Sequence, residues 1–415
     1  MNSVKLSVCI PTYNRARHLH DCLSRCLREF NFDFPYEIVV SDNASTDDTY
    51  DVVQEFLAQG APIRYFRSQK NVGMIPNMNS AFRLGRGEYL TYLADDDRLI
   101  PEEVANIVHF LDANQNVTVC HAPWFIYDAV EEQDGTPFYR IEQDTIFPKQ
   151  SFADVFNFMF RGHVFPEVAI YRGSALRAAW VPREICFFPF TMLAHFLDEG
   201  DVAFRKTPFY RQVIRSAVER DRAQGGHEIA MTGWDQYRGG LEYFLYFGAK
   251  RGKVGTSEND RATQEHLCKT FTMERMAVAI RLLVAQREFL KCYELYCRME
   301  FGGMGGHKQL AAIRDGLPLA AALETLAGQL HASAGVNRLI ISGFTDPWTI
   351  RERLAKVRFP EKVTTTGEPT DHTDEIIEHS AVLVSRADQR DHFLSLGYMP
   401  NLVFSQDDLI KTIVL

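Results

Sequence analysis

The sequence has no excess of basic residues, and this absence argues against a nucleic-acid partner. Its 415 residues carry 45 Lys and Arg against 54 Asp and Glu, which gives a formal net charge of −9. A protein that binds phosphate backbones needs a basic face. The composition gives no sign of such a basic face, so we expect no nucleic acid among the partners.

Disulfide, zinc and membrane signatures are also missing. The eight cysteines fall at irregular positions, with no Cys-x-x-Cys pair and no His/Cys set at zinc spacing. No apolar run reaches the length of a membrane span, and Met1 leads almost directly into the first strand pattern. We therefore expect a reduced cytoplasmic chain. Peripheral association with the inner face of the membrane is left open, as is a homo-oligomer.

Strand patterns alternate with helix patterns along the first hundred residues. Apolar runs at 4–10, 37–40 and 63–66 each end in polar residues, and helical periodicity follows from residue 16, over 50–57 and over 77–84. Alternation of this kind predicts an α/β fold with a doubly wound sheet. Such sheets bind their ligands at the carboxyl ends of the strands.

Three consecutive aspartates, Asp95, Asp96 and Asp97, follow the apolar run 88–94. Adjacent carboxylates repel one another, and a divalent cation that bridges substrate phosphates would neutralise them. The alternative is a solvated turn before a helix, because Asp97 is soon followed by Pro101 and two glutamates. The cluster alone leaves both interpretations open.

Four motifs in order make residues 4–215 resemble a family 2 glycosyltransferase with a GT-A fold. They are Pro11-Thr12-Tyr13-Asn14-Arg15, the run from Val40 to Asp47, Asn71-Val72-Gly73 with Asn77 and Ala81, and Gly87-Glu88-Tyr89-Leu90 leading into Asp95-Asp96-Asp97. The resemblance implies a doubly wound mixed sheet and a hexosyltransferase-like enzyme. Its donor would be a nucleotide-diphosphate sugar. Its acceptor would be a hydroxyl on a glycan or lipid-linked glycan of bacterial surface polysaccharide, with inversion at the anomeric carbon.

The resemblance also assigns the donor site. It places the nucleotide in the first loop, the pyrimidine base on Asp42, the ribose on Asp95 and the metal on Asp96, with Asp97 as an outer or alternative ligand. The ring nitrogen N3 of uracil and thymine carries an N–H that a carboxylate can accept, whereas N3 of cytosine carries none, which favours UDP or dTDP. The implied nucleotide-sugar residues are Pro11, Thr12, Tyr13, Asn14, Arg15, Asp42, Asn71, Gly73, Asn77 and Asp95.

Two of these assignments have alternatives. Asp42 could cap the helix that follows it, and the two roles could coexist. The first aspartate of the family's spaced acidic motif falls on Ala94 here, so which two carboxylates hold the ion stays open. The expected ion is Mn²⁺ or Mg²⁺, because carboxylates and a diphosphate supply only hard oxygen ligands.

The general base is the least defined part of the predicted site. The family often supplies it from a Glu-Asp pair, and no such pair stands near 187–191. The candidates are Glu167, His163 and Asp198. Glu167 and His163 precede a predicted strand, 168–172, that would carry them to the acceptor side, whereas Asp198 is predicted to end a helix before Gly200.

The rest of the chain predicts two further domains after a catalytic domain at 1–225. Residues 226–333 have helical patterns, including an amphipathic pair over 271–299 and another pair over 307–331. Residues 334–415 alternate strands and helices as a small Rossmann-like module. The turn Gly343-Phe344-Thr345-Asp346-Pro347 lacks the glycines that let a backbone approach a pyrophosphate. We therefore expect a structural or partner-binding module there.

Two other functions fit parts of the pattern. A nucleotidyltransferase also pairs a nucleotide-binding sheet with acidic metal ligands, but it normally needs a glycine-rich basic loop that Pro11 to Arg15 does not provide. A non-catalytic sugar-nucleotide-binding or assembly protein would explain the missing base. Turnover of the donor separates an enzyme from a binding protein.

Overall fold

The chain divides into two compact units, residues 1–272 and 273–415. The computed structural model describes residues 4–179, 185–219, 232–411 and 413. The predicted domain boundary between 225 and 226 lies outside these residues, and the division into three domains stays a prediction.

The first unit contains an eight-stranded sheet and a four-stranded sheet. Its strands are β1 (Leu6–Thr12), β2 (Tyr36–Asp42), β3 (Ile63–Arg67), β4 (Tyr89–Tyr92), β5 (Arg98–Leu99), β6 (Val117–His121), β7 (Trp124–Asp128), β8 (Gln133–Pro137), β9 (Thr145–Phe147), β10 (Ala169–Arg172), β11 (Asp201–Phe204) and β12 (Tyr210–Arg215). The large sheet has the order β3-β2-β1-β4-β10-β6-β11-β9, and the small sheet has the order β5-β12-β7-β8. Strands β1 to β4 are parallel and β10 is antiparallel to its neighbours, which confirms the predicted mixed sheet.

The helices of this unit follow the apolar periodicity of the sequence. They are α1 (Ala16–Glu29), α2 (Thr49–Ala58), α3 (Met74–Leu84), α4 (Pro101–Ala113), α5 (Phe152–Gly162), α6 (Gly173–Ala178), α7 (Phe188–Glu199) and α8 (Trp234–Lys250), followed by α9 (Glu258–Gln286). In α1 the buried face consists of Leu19, Cys22, Leu23 and Cys26, at the spacing that predicted this helix. Within the part of the chain that the structure describes, no helix has the length and apolar composition that a membrane span requires.

The strand directions decide which residues share one edge of the large sheet. Thr12 and Asp42 are register partners at the carboxyl ends of β1 and β2. Strand β10 runs antiparallel to both β4 and β6, and Ala169 at its start pairs with His121 at the end of β6. The start of β10 and the ends of β1, β2, β4 and β6 therefore lie at the same edge.

The second unit has a small parallel sheet beside helices. After α9 come α10 (Phe289–Phe301), α11 (Leu317–Ala332), β13 (Arg338–Ser342), α12 (Pro347–Leu354), β14 (Thr364–Gly367), α13 (Asp374–Glu378), β15 (Ser380–Val384), α14 (Arg390–Ser395), β16 (Val403–Ser405) and α15 (Gln406–Lys411). The strand order is β14-β13-β15-β16, all parallel. Its core includes Leu326, Leu330, Leu339, Ile341 and Leu383.

One helix prediction in this unit is wrong. The pair expected over 307–331 is a single helix, α11, preceded by turns and a short 3₁₀ segment at Arg314–Gly316. Pro318 stands in the first turn of α11. Proline starts a helix readily but cannot donate the N–H that would continue one from upstream, so the helix begins there.

The buried imidazole of His121 predicts acid sensitivity of the first unit. Its ring stacks on Phe204 with centroids 5.2 Å apart, and burial lowers its pKa to about 3 from an ordinary 6.5. The unfolded chain therefore takes up this proton at a higher pH than the folded chain. The stabilisation is complete above the unfolded pKa and is lost as pH falls from about 6.5 towards 3.

We expect the wild type to lose about 2 kcal/mol more unfolding free energy between pH 7.5 and pH 5 than a His121→Phe variant does. Urea denaturation at the two pH values measures the difference. His266→Gln, at an exposed histidine on α9, is the matched control and should keep the wild-type pH dependence. An unchanged pH dependence in His121→Phe would contradict the assignment.

Candidate functional site

Two aspartates and one arginine meet at the carboxyl edge of the large sheet. The Arg15 Nε lies 3.0 Å from the Asp95 Oδ1, and its Nη2 contacts the Asp96 carboxylate. The hydroxyl of Thr12 donates to the other oxygen of Asp95 at 2.7 Å. The side chains of Asp95 and Asp96 are only 6% and 5% exposed, while Arg15 is 34% exposed. Two nearly buried carboxylates therefore contact the same guanidinium, which is itself partly exposed to solvent.

Asp97 is held in a different direction from the other two aspartates. Its Oδ2 accepts the Tyr210 hydroxyl at 2.7 Å, and its Oδ1 accepts the backbone N–H of Val213 at 2.9 Å. The backbone N–H of Ala94 donates to the same tyrosine oxygen at 3.2 Å. Burial raises the pKa of Tyr210, which keeps its phenol protonated as a donor. Asp97 therefore links the aspartate run to β12 of the small sheet.

Asp42 is fully buried at the end of β2 and organises the loop that follows it. Its Oδ1 accepts the backbone N–H of Ser45 at 2.8 Å, and its Oδ2 accepts the Tyr65 hydroxyl at 2.6 Å. It does not cap the next helix: α2 begins at Thr49, whose N–H and hydroxyl donate to Asp47. The alternative assignment of Asp42 to helix capping is therefore wrong, and its contact with a base stays a prediction.

Asparagines connect the loops of this edge. Asn14, with a positive φ of 52°, accepts the backbone N–H of Thr46 at 2.7 Å. Asn71 accepts the N–H of Gly73 at 2.9 Å, just before α3. The buried amide of Asn77 donates to the backbone oxygens of Thr12 and Ser41, at 3.3 and 3.0 Å. Asn77 thus fixes the spacing of β1 and β2.

The predicted nucleotide-sugar residues are therefore brought to one edge of the sheet. Pro11 and Thr12 close β1, Tyr13 is an exposed aromatic directly after it, and Gly73 adopts a φ of 93° at the start of α3. A positive φ of that size favours glycine over other residues. Sequence reasoning missed Tyr65 and Tyr210, which hold Asp42 and Asp97, because neither tyrosine belongs to a motif and each comes from a distant strand.

Of the three base candidates, Glu167 lies at this edge of the sheet. It is exposed and stands two residues before β10. The antiparallel register pairs Ile170 with Thr91, and the hydroxyl of Thr91 donates to the backbone oxygen of Ala169 at 3.0 Å. The residues before β10 therefore lie beside those that follow β4, where the aspartate run begins.

The other two candidates lie at the ends of helices. His163 ends α5 with a left-handed φ of 50°, and its ring stacks on Phe271 with centroids 4.3 Å apart. Asp198 lies near the end of α7 and forms an ion pair with Arg251, with a shortest separation of 2.6 Å. The hydrogen bond from Arg251 holds the pKa of Asp198 below its usual range, which makes it a weaker base.

The donor set at Asp95 and Asp96 fits a hard divalent cation, because both groups are carboxylates on a strand end. Among the described residues, only Glu368, His372 and His392 form a set of three potential ligand groups within 4.8 Å of one another. The aspartate run therefore offers fewer than three converging side chains. That is the usual arrangement for Mg²⁺, which takes one or two carboxylates and completes its shell with waters and substrate phosphates.

Comparisons with known proteins point to one family. Residues 7–169 match the family model described as glycosyl transferase family 2. Over 116 residues the chain is 33% identical to abequosyltransferase RfbV of Salmonella typhimurium. This match covers 28% of this chain and 35% of that protein. Over 106 residues it is 37% identical to the GalNAc(5)-diNAcBac-PP-undecaprenol beta-1,3-glucosyltransferase of Campylobacter jejuni, covering 25% of this chain and 33% of that protein.

The chain thus matches about a third of the length of these two relatives. Among solved structures, S. aureus TarS 1-349 in complex with UDP-GlcNAc is similar with a TM-score of 0.43 and 15% identity, over 75% of this chain and 92% of that one.

Proposed function

Because residues 7–169 form a family 2 glycosyl transferase domain, we propose that this chain transfers a sugar from a nucleoside diphosphate to a hydroxyl of a glycan or lipid-linked acceptor. The observation that carries the proposal is that Arg15 contacts both Asp95 and Asp96 at the carboxyl edge of the large sheet. Carboxylates and a guanidinium at a strand end are suited to a cation and a diphosphate.

Asp42 is the proposed contact for the base. Both of its oxygens already accept one hydrogen bond, from Ser45 and Tyr65. An ionised carboxylate has about four lone-pair sites, so it can accept a further N–H from uracil or thymine. This chemistry supports a UDP or dTDP donor over a CDP donor.

Asp95 and Asp96 are the proposed cation ligands, and Asp97 is proposed as a positioning residue. A Mn²⁺ or Mg²⁺ ion bound at this position supplies Lewis acidity towards the leaving nucleoside diphosphate. Arg15 adds a fixed positive charge whose planar fork matches phosphate oxygens. Asp97 keeps the aspartate run in place through its hydrogen bonds to Tyr210 and Val213.

Glu167 is the proposed general base. Glu167 is an exposed residue, and the register of β10 supports a place for it beside the aspartate run. A base that takes the acceptor's proton while the sugar–oxygen bond to the diphosphate breaks gives a single displacement. Inversion at the anomeric carbon follows from that chemistry.

The acceptor is proposed from the relatives. The Campylobacter jejuni protein is named for an undecaprenol-diphosphate-linked glycan, and we extend this class of acceptor to the present chain. An enzyme acting on it would work as a peripheral protein at the inner face of the membrane in assembly of a surface polysaccharide.

Thermal unfolding with a panel of donors tests this proposal. We expect UDP- or dTDP-sugars to raise the melting temperature in the presence of Mn²⁺ and not with a chelator, while CDP-sugars leave it unchanged. A ligand at 100 times its dissociation constant stabilises the folded state by about 2.7 kcal/mol, which such an experiment resolves.

Two comparisons make the outcome specific. Asp42→Asn should weaken binding of uridine itself, with or without metal, whereas the same change at Asp51, an acidic residue in the first turn of α2, should not. The absence of a shift with every donor would contradict the proposal. A shift without release of nucleoside diphosphate would indicate a binding protein, and release of pyrophosphate from a nucleoside triphosphate and a sugar phosphate would indicate a nucleotidyltransferase.

A further inference from the structure

Three potential metal ligands converge in the second unit. Glu368 directly follows β14, His372 lies in the loop before α13, and His392 is on α14. Their ligand atoms all lie within 4.8 Å of one another. The residues span 25 positions of the sequence, so the folded sheet, and not a local motif, brings them together.

The separations match those of a tetrahedral zinc site. The Nε2 of His392 lies 3.0 Å from the Glu368 Oε1, and the Nε2 of His372 lies 3.9 Å from the same oxygen. Zinc bonds of about 2.0–2.2 Å at tetrahedral angles put neighbouring ligand atoms about 3.3 Å apart. The two observed separations bracket that value, so a small movement of the side chains would accommodate an ion.

A buried tyrosine orients one of the imidazoles. The Nδ1 of His372 lies 2.8 Å from the hydroxyl of Tyr398, whose ring is buried against Phe393. When Nδ1 carries the proton and donates it to this hydroxyl, the lone pair on Nε2 faces Glu368. Histidines that bind metals commonly have such an outer hydrogen bond, which fixes both the tautomer and the ring orientation.

The position within the fold also favours a ligand. Parallel strands with the order β14-β13-β15-β16 reverse their winding between β13 and β15, and open α/β sheets bind ligands at the carboxyl ends of strands near such a reversal. Glu368 follows the end of β14, and Ser342 at the end of β13 donates its hydroxyl to the second oxygen of Glu368. His392 lies on the helix that follows β15.

We propose that Glu368, His372 and His392 form a zinc site in the second unit, with a fourth coordination position open to water or to a ligand. Two imidazoles and a carboxylate suit Zn²⁺ better than Mg²⁺ or Mn²⁺, which prefer oxygen ligands. The side chain of His392 is 57% exposed and that of His372 is 15% exposed, so the ion can enter from solvent on the His392 side. The site consists only of residues of the second unit and does not depend on the proposed transferase activity.

Zinc binding to the full-length, tag-free chain tests the proposal. Competition of Zn²⁺ with a chromophoric chelator at pH 7.4 should give one tight site per chain, and Mn²⁺ at the same concentration should not displace it. His372→Gln and His392→Gln should each weaken zinc binding by roughly 100-fold or more, because each removes one of three protein ligands. Tyr398→Phe should weaken it about 10- to 100-fold, the usual effect of losing an outer hydrogen bond to a ligand.

Matched controls separate this site from other sources of zinc affinity. His331→Gln, at an exposed histidine on α11, should keep the wild-type affinity, and so should Asp96→Asn in the first unit. Each variant should still unfold in one cooperative thermal transition in chelator, which shows that it folds. The proposal is overturned if the wild type binds no zinc, if both histidine variants keep the affinity, or if His331→Gln loses it to the same extent.

Discussion

Replacing Asp96 by asparagine is expected to lower the rate of sugar transfer about 1000-fold, equivalent to about 4 kcal/mol. Asparagine keeps the shape of the side chain and removes the charge that a hard cation requires. Binding of the donor nucleotide should also lose its dependence on Mn²⁺. Isothermal titration of UDP with and without Mn²⁺ measures the second effect independently of turnover.

Asp97→Asn is the matched comparison, since it makes the same change one residue later. Its carboxylate accepts hydrogen bonds from Tyr210 and Val213, and impairing such buried bonds costs about 1–3 kcal/mol. We therefore expect a lower melting temperature with metal-dependent UDP binding retained. If Asp97→Asn abolishes the metal dependence and Asp96→Asn does not, the two roles are reversed.

Glu167→Gln is expected to lower kcat about 1000-fold while the affinity for the donor and the KM for the acceptor change little. Loss of a positioned general base typically removes a factor of about 10²–10⁴ from the rate. Initial rates at saturating donor and varied acceptor concentration measure kcat and KM.

Asp198→Asn serves as the comparison for the base. Asp198 is paired with Arg251 and also accepts a hydrogen bond from Gln150, so we expect a small loss of thermal stability and a kcat close to that of the wild type. NMR of the product would show inversion at the anomeric carbon. A full rate in Glu167→Gln, or a product with retained configuration, would rule out Glu167 as the base of a single displacement.

The sequence predicted the order of elements in both units because the apolar patterns are local. Periodicity placed α1 from residue 16, and α9 with α10 appear where the amphipathic pair was predicted. Strand ends could be read in the same way, so the grouping of Thr12, Asp42 and Asp95 at one edge followed once the strands were taken as parallel. The turns at 307–313 were misjudged because helix formers precede Pro318 there.

The sequence by itself determined that this protein has a doubly wound α/β domain with acidic residues at its ligand edge. Only the tertiary structure showed that Asp96 and Asp97 have different partners. The partners of Asp97 are Tyr210 and Val213, which lie on a strand distant in sequence. The tertiary structure also placed Glu167 at the carboxyl edge, because the antiparallel direction of β10 brings the residue that stands two positions before that strand to this edge.

The cluster of Glu368, His372 and His392 shows most clearly what could not be predicted from the sequence alone. No spacing rule marks these residues, since the sequence shows no His/Cys set at zinc spacing. They meet because β14 and β15 flank β13 and send their following loops to one edge. Local patterns fix which segments become strands and helices, whereas convergence of distant side chains depends on strand order and direction, which no local pattern contains.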